Sequence, residues 1–125
     1  MFKINDLKYV LKTASDRGDL KIIQWLLKDN SIFNEDDIVY AFHRSSSNLD
    51  AIKWFLFKYE YLLNEIKYVF RRASEDNCFE VVQWILINCD ISDDKEIKYA
   101  FKRACDCGSF DLVLWLINKY GIELV

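Results

Sequence analysis

Ile22-Ile23-Gln24-Trp25-Leu26-Leu27 returns three more times along the chain, as Ala51-Ile52-Lys53-Trp54-Phe55-Leu56, Val81-Val82-Gln83-Trp84-Ile85-Leu86 and Leu112-Val113-Leu114-Trp115-Leu116-Ile117. Four apolar blocks in one register mark an internal repeat, and a repeat decides the architecture before any single element is read. Upstream of each block stands a tyrosine, Tyr9, Tyr40, Tyr68 or Tyr99, two residues after Leu7, Ile38, Ile66 or Ile97. The tyrosines are 31, 28 and 31 residues apart, and the distance from tyrosine to tryptophan is 16, 14, 16 and 16, so only the second unit is shortened. The units cover approximately 6–34, 35–63, 64–93 and 94–125 of a single domain, 1–125.

Each unit reads as two helices. Leu7, Val10, Leu11 and Ala14 fall at i, i+3, i+4 and i+7, as do Ile66, Val69, Phe70 and Ala73, and Ile97, Ala100, Phe101 and Ala104, which gives the first helix one buried stripe. Asp6, Asp37, Glu65 and Glu96 precede that stripe, where a carboxylate complements the helix dipole. Asp16-Arg17-Gly18, Asp76-Asn77 and Asp106-Cys107-Gly108 supply turns in which Gly or Asn can take a left-handed conformation, and Ser45-Ser46-Ser47-Asn48 replaces them in the second unit. The second helix is apolar on two flanks, with Leu20, Ile23 and Leu27 on one and Ile22, Trp25 and Leu26 on the other. A helix pair cannot bury so broad a surface alone, so the units are expected to stack. The fold class implied is all-α, a solenoid of four helix-turn-helix repeats.

The composition agrees. At 125 residues, 52% apolar and 30% charged, the chain is too hydrophobic for a disordered tail and too charged for a membrane protein. No apolar run approaches the ~18 residues of a membrane span, and Met1-Phe2-Lys3-Ile4-Asn5-Asp6 lacks the order of a secretion signal, so an intracellular protein without membrane contact is expected. Cys78, Cys89, Cys105 and Cys107 fit no disulfide framework and read as thiols. Cys105 and Cys107 form a C-x-C pair, but the single histidine, His43, is too little to complete a zinc site, and no metal or cofactor is expected. With no proline and three glycines, short connectors between helices are the economical reading.

The segment Ala14-Ser15-Asp16-Arg17-Gly18-Asp19-Leu20-Lys21-Ile22-Ile23-Gln24-Trp25-Leu26-Leu27 resembles the A-A-x-x-G-H-x-E-V-V-x-L-L-L segment of ankyrin repeats, and Ala104 through Ile117 resembles it equally. In place of the family's T-P-L-H the chain has Tyr9-Val10-Leu11-Lys12, Tyr40-Ala41-Phe42-His43, Tyr68-Val69-Phe70-Arg71 and Tyr99-Ala100-Phe101-Lys102. Its period is shorter than the ~33 residues of ankyrins. The first helix is therefore expected to start about a turn earlier and absorb the projecting hairpin, leaving little or no strand. Short units of this kind, rich in Lys, Asn, Ile, Phe and Tyr, are similar to those of large DNA viruses and some protists.

Catalytic patterns are lacking: there is no G-x-S-x-G, phosphate loop or His-x-x-x-His, and no enzyme is expected. His43 stands where ankyrins carry a histidine and reads as structural; Asp36-Asp37 and Asp93-Asp94 read as solvated helix starts. The four tryptophans, at the repeat period inside apolar blocks, read as core.

Recognition is expected on the first helices. Lys8 and Lys12, Lys67 and Arg71, and Lys98 and Lys102 share one edge; Arg44, Arg72 and Arg103 line the other; Tyr9, Tyr40, Tyr68 and Tyr99 project between, with His43 alongside. The ankyrin resemblance implies that these helices line a concave binding face, so the chain reads as a protein-interaction module gripping an acidic partner. The alternative for the bases is pairing with acids of the neighbouring unit, or a solvated face. Nucleic-acid binding by bases interleaved with aromatics is the weaker reading, given a net charge of −3 and a pI near 5.2. A second functional reading is a structural component of a larger assembly, such as a virus particle. The last unit lacks the polar outer surface of a terminal repeat: Leu114 replaces Gln24, Lys53 and Gln83, and the chain ends Ile122-Glu123-Leu124-Val125. Leu114, Ile122, Leu124 and Val125 are expected to dock on a second copy or a partner chain, or to mark a domain that was once longer.

Overall fold

A computed structural model of the chain describes residues 3–28, 32–91 and 93–121. Among them are eight α-helices and no strand: α1 (Ile4–Arg17), α2 (Leu20–Leu26), α3 (Glu35–Arg44), α4 (Leu49–Lys58), α5 (Ile66–Glu75), α6 (Phe79–Asn88), α7 (Asp94–Cys107) and α8 (Phe110–Tyr120), with a 3₁₀ helix at Glu60–Glu65. The all-α class is as expected, and no described residue forms a hairpin strand. Ile122, Leu124 and Val125 lie outside the described residues.

The acids before each stripe work locally. Asp6 accepts a hydrogen bond from the Lys3 backbone N–H at 3.1 Å. At α3, Asn34 and Asp37 form a reciprocal capping box, with the Asp37 N–H on Asn34 Oδ1 at 2.9 Å and the Asn34 N–H on Asp37 Oδ2 at 3.1 Å. Asp93 caps α7 through the Lys95 N–H, and Glu96 accepts from Arg71 instead, as described below. The third unit differs: its first helix begins at Ile66, and the turn before it is the 3₁₀ helix.

Three of the four helix-to-helix turns share one geometry. Gly18, Asn77 and Gly108 have φ of 67°, 59° and 71°. After each, the next N–H reaches back to a first-helix alanine: Asp19 to Ala14, Cys78 to Ala73 and Ser109 to Ala104, at 2.8–2.9 Å. This Schellman closure satisfies orphan carbonyls and needs a residue that tolerates left-handed backbone. The second repeat, without Gly or Asn at that place, closes instead through the Asn48 N–H on the Ser45 carbonyl at 2.9 Å.

The chain divides into two compact units, Met1–Val69 and Phe70–Val125, with the boundary inside α5. In the first, α1 packs on α2 and α3, and α3 packs on α4 and on the 3₁₀ helix. Its core holds Leu11, Ile23, Leu27, Phe42, Ile52, Phe55 and Leu62. In the second, α7 packs on α8, and Phe70, Val82, Ile85, Ala100, Leu112 and Leu116 are buried. Two buried serines turn their hydroxyls onto a helix carbonyl, Ser45 Oγ donating to Ala41 and Ser74 Oγ to Phe70, each at 2.9 Å, whereas the buried Ser15 Oγ makes no such bond.

The tryptophans are a correction. None of the four is buried; Trp54, Trp84 and Trp115 are half-buried and Trp25 is 68% exposed. The core positions of each block are neighbours of the tryptophan, such as Ile23, Leu26 and Leu27 in the first and Ile52 and Phe55 in the second, while the indole lies at the rim. There its flat face is covered by cations: Lys58 over Trp54 at 5.3 Å and Lys119 over Trp115 at 5.6 Å. Lys58 also donates to the Leu27 carbonyl at 2.8 Å, closing the end of the short helix α2.

Candidate functional site

The bases of the first helices fall into a repeating junction. Three residues after each tyrosine comes Lys12, His43, Arg71 or Lys102; three before it comes Asp6, Asp37, Glu65 or Glu96. The structure joins the base of one helix to the acid and the tyrosine of the next. Within the first unit, His43 Nε2–H donates to Glu65 Oε1 at 2.6 Å, and its ring stacks on Tyr68 at 3.9 Å between centroids. Within the second unit, Arg71 donates to both oxygens of Glu96, at 3.0 and 2.7 Å, and lies over the Tyr99 ring at 5.6 Å. Glu96 is only 3% exposed, and the bidentate guanidinium keeps a buried carboxylate compensated. The Arg71 charge is held in its protonated form by that same bond.

A second set of contacts runs the other way. Arg44 donates to Asp16 at 2.5 and 2.7 Å from its Nε and Nη2, lowering the carboxyl below its ordinary value, and lies over the ring of Tyr40 on its own helix. Tyr99 donates its hydroxyl to Glu75 at 2.7 Å, and that bond together with partial burial raises the phenol above its usual range. Successive turns also touch: the Asn48 amide donates to the Ser15 carbonyl, and the Ser109 hydroxyl to the Asn77 side-chain carbonyl.

At the junction between α1 and α3 the same plan stays open. Here the base nearest the acid is Lys8, 3.5 Å from Asp37. A lysine is slender where His43 and Arg71 are flat and broad, and a cleft of about 260 Å³ remains. Lys8, Tyr9 and Lys12 line it from α1, Asp37 and Tyr40 from α3, and Leu11 and Ala41 form its apolar floor. Tyr9 is 68% exposed and Tyr40 and Lys12 are exposed as well. Asp37 accepts from the Asn34 N–H and pairs with Lys8, while Lys12 is also near enough to Asp16 to help lower its carboxyl.

Of the residues singled out from the sequence, Lys8, Tyr9, Lys12 and Tyr40 therefore meet in one cleft, while His43, Arg44, Tyr68, Arg71 and Tyr99 are engaged in contacts between helices. Lys67, Lys98 and Lys102 are exposed; Arg72 and Arg103 are half-buried, each in its own unit. Leu114 is 42% exposed, at a block position that is exposed in the first and second repeats also. Pairing of the bases with acids of a neighbouring repeat is the alternative that the sequence offers; the constant offset from the tyrosines signals it for Glu65 and Glu96, but nothing periodic signals it for Asp16. No group of histidine, cysteine and acid residues suited to a metal occurs among the described residues, and no helix among them is long and apolar enough to cross a membrane. No protein-family model, curated protein or solved structure matches the chain.

Proposed function

We propose that the chain is a stack of four ankyrin-like helix pairs acting as a protein-interaction module, and that it receives an acidic segment of its partner in the cleft between α1 and α3. The observation that carries this reading is the contrast among junctions. Where His43 and Arg71 fill the space with rings and forks, Lys8 and Lys12 leave it open, with exposed tyrosines on both walls. Tyrosines give contact area at little entropic cost, and lysines attract carboxylates without a fixed geometry. The repeated Schellman turns and the common offset of base and acid support the four-fold stack.

Selection from a random peptide display library tests the proposal. Acidic peptides should be enriched, their binding should weaken with added salt, and Lys12→Glu or Tyr9→Ala should abolish it while leaving the fold intact by circular dichroism. Enrichment of basic or purely apolar peptides, or binding indifferent to both substitutions, would overturn it. Salt-sensitive binding of oligonucleotides in place of peptides would favour a nucleic-acid partner.

A further inference from the structure

In each unit, one helix pair is less covered than the other at equivalent positions. Within the first unit, Ile38, Ala41 and Ala51 of the second repeat are buried, whereas Leu7, Val10 and Ile22, at the same places in the first repeat, are half-buried or, for Ile22, 39% exposed. Within the second unit, Phe70, Ser74 and Val82 of the third repeat are buried, whereas Phe101 and Val113 of the fourth are half-buried and Cys105 is exposed. The two sets are different. The positions uncovered on the first repeat are those by which a repeat meets its predecessor; those uncovered on the fourth are those by which it meets its successor.

The charges divide in the same way. Asp6 has the place of Asp37, Glu65 and Glu96, and no described helix before α1 brings it a base. Lys102 has the place of His43 and Arg71, and no described helix after α8 brings it an acid. One end thus offers an apolar face edged by an acid, the other an apolar face edged by a base, and together they are the two halves of the junction already made inside each unit.

We infer that a second copy of this chain docks head to tail, setting Asp6, Val10 and Ile22 of one copy against Lys102, Phe101 and Val113 of the next. The contact is heterologous, so each copy keeps one face of each kind and association does not stop at two unless a ring closes. It rests on the repeat register, and by the same junction plan Lys102 of one copy would also approach Tyr9 of the next, whereas Lys12 lines the cleft that faces α3. Lys12→Glu therefore leaves assembly unchanged, and Val113→Glu leaves peptide binding in the cleft unchanged.

Sedimentation velocity over a rising concentration series is the test. The wild-type mass should climb continuously. Ile22→Glu blocks one face and Val113→Glu the other, so each variant alone should stay monomeric, and an equimolar mixture should form a one-to-one dimer and nothing larger. If Val113→Glu proves unfolded by circular dichroism, the exposed Lys102→Glu takes its place and should weaken wild-type association roughly two- to fivefold, the scale of a surface ion pair. Alkylation of Cys105, read by mass spectrometry, should slow as assembly proceeds. A wild-type chain that remains monomeric at the highest concentration, a mixture of the two blocked chains that stays monomeric, or loss of association by one variant only, would each overturn the proposal.

Discussion

Gly18 and Gly108 have the same backbone conformation and different surroundings. Both have φ near 70°, a region that costs an L-residue about 1–2 kcal/mol. A methyl on Gly108 would meet open space, while one on Gly18 would fall against the side chain of Asn48. Gly108→Ala should therefore cost about 1 kcal/mol, and Gly18→Ala clearly more, because Asn48 must give up its hydrogen bond to the Ser15 carbonyl; urea midpoints of the two variants check the order. Asp16 illustrates the electrostatic side. Hydrogen bonds from Arg44 hold its carboxyl below the ordinary 3.8. A depressed folded value means that the unfolded chain binds the proton more readily, so this stabilisation is complete above about pH 4 and disappears as pH falls through the folded value. Asp16→Asn should reduce the acid-induced loss of stability in that range, by less than about 1 kcal/mol because the pair is partly exposed and solvent-screened. Acid titration monitored by circular dichroism gives the comparison.

At the scale of the elements, helix starts and turns could be read from single residues because their causes are local: a carboxylate within one turn, a glycine past the last turn. The identity of the core residue within each block was not local. A helix with apolar residues on two flanks leaves open which flank is covered, and size suggested tryptophan. Burial instead goes to neighbours such as Ile23, Ile52, Phe55 and Leu116, and the indoles remain less buried, those of Trp54 and Trp115 under lysines. Trp25→Ala should accordingly change stability by less than about 1 kcal/mol, whereas Phe42→Ala, which empties a fully buried site in α3, should cost about 3–5 kcal/mol. Chemical denaturation of the two variants decides between this assignment and a tryptophan core.

For the whole molecule, stability in stacked units is shared with neighbours and is lowest where a neighbour is missing. The seven-residue α2, exposed along the flank that carries Ile22 and Trp25, has less support than α3 and α4 of the same unit. Native-state hydrogen exchange should find its amides opening with a smaller free energy than those of α3 and α4; equal protection would mean that this flank is covered in solution. The sequence by itself determined the repeat, the all-helical class, the helix starts and the left-handed turns, because spacing and the chemistry of single residues cause them. Only the tertiary structure decided what the periodic bases do. Whether Lys12, Arg44 or Arg71 meets solvent, a partner or a carboxylate depends on which helix lies beside it, and the 22 to 28 residues that separate His43, Arg44 and Arg71 from their carboxylates close only on folding. It is also what distinguishes an open cleft at α1 and α3 from junctions already filled by His43 and Arg71.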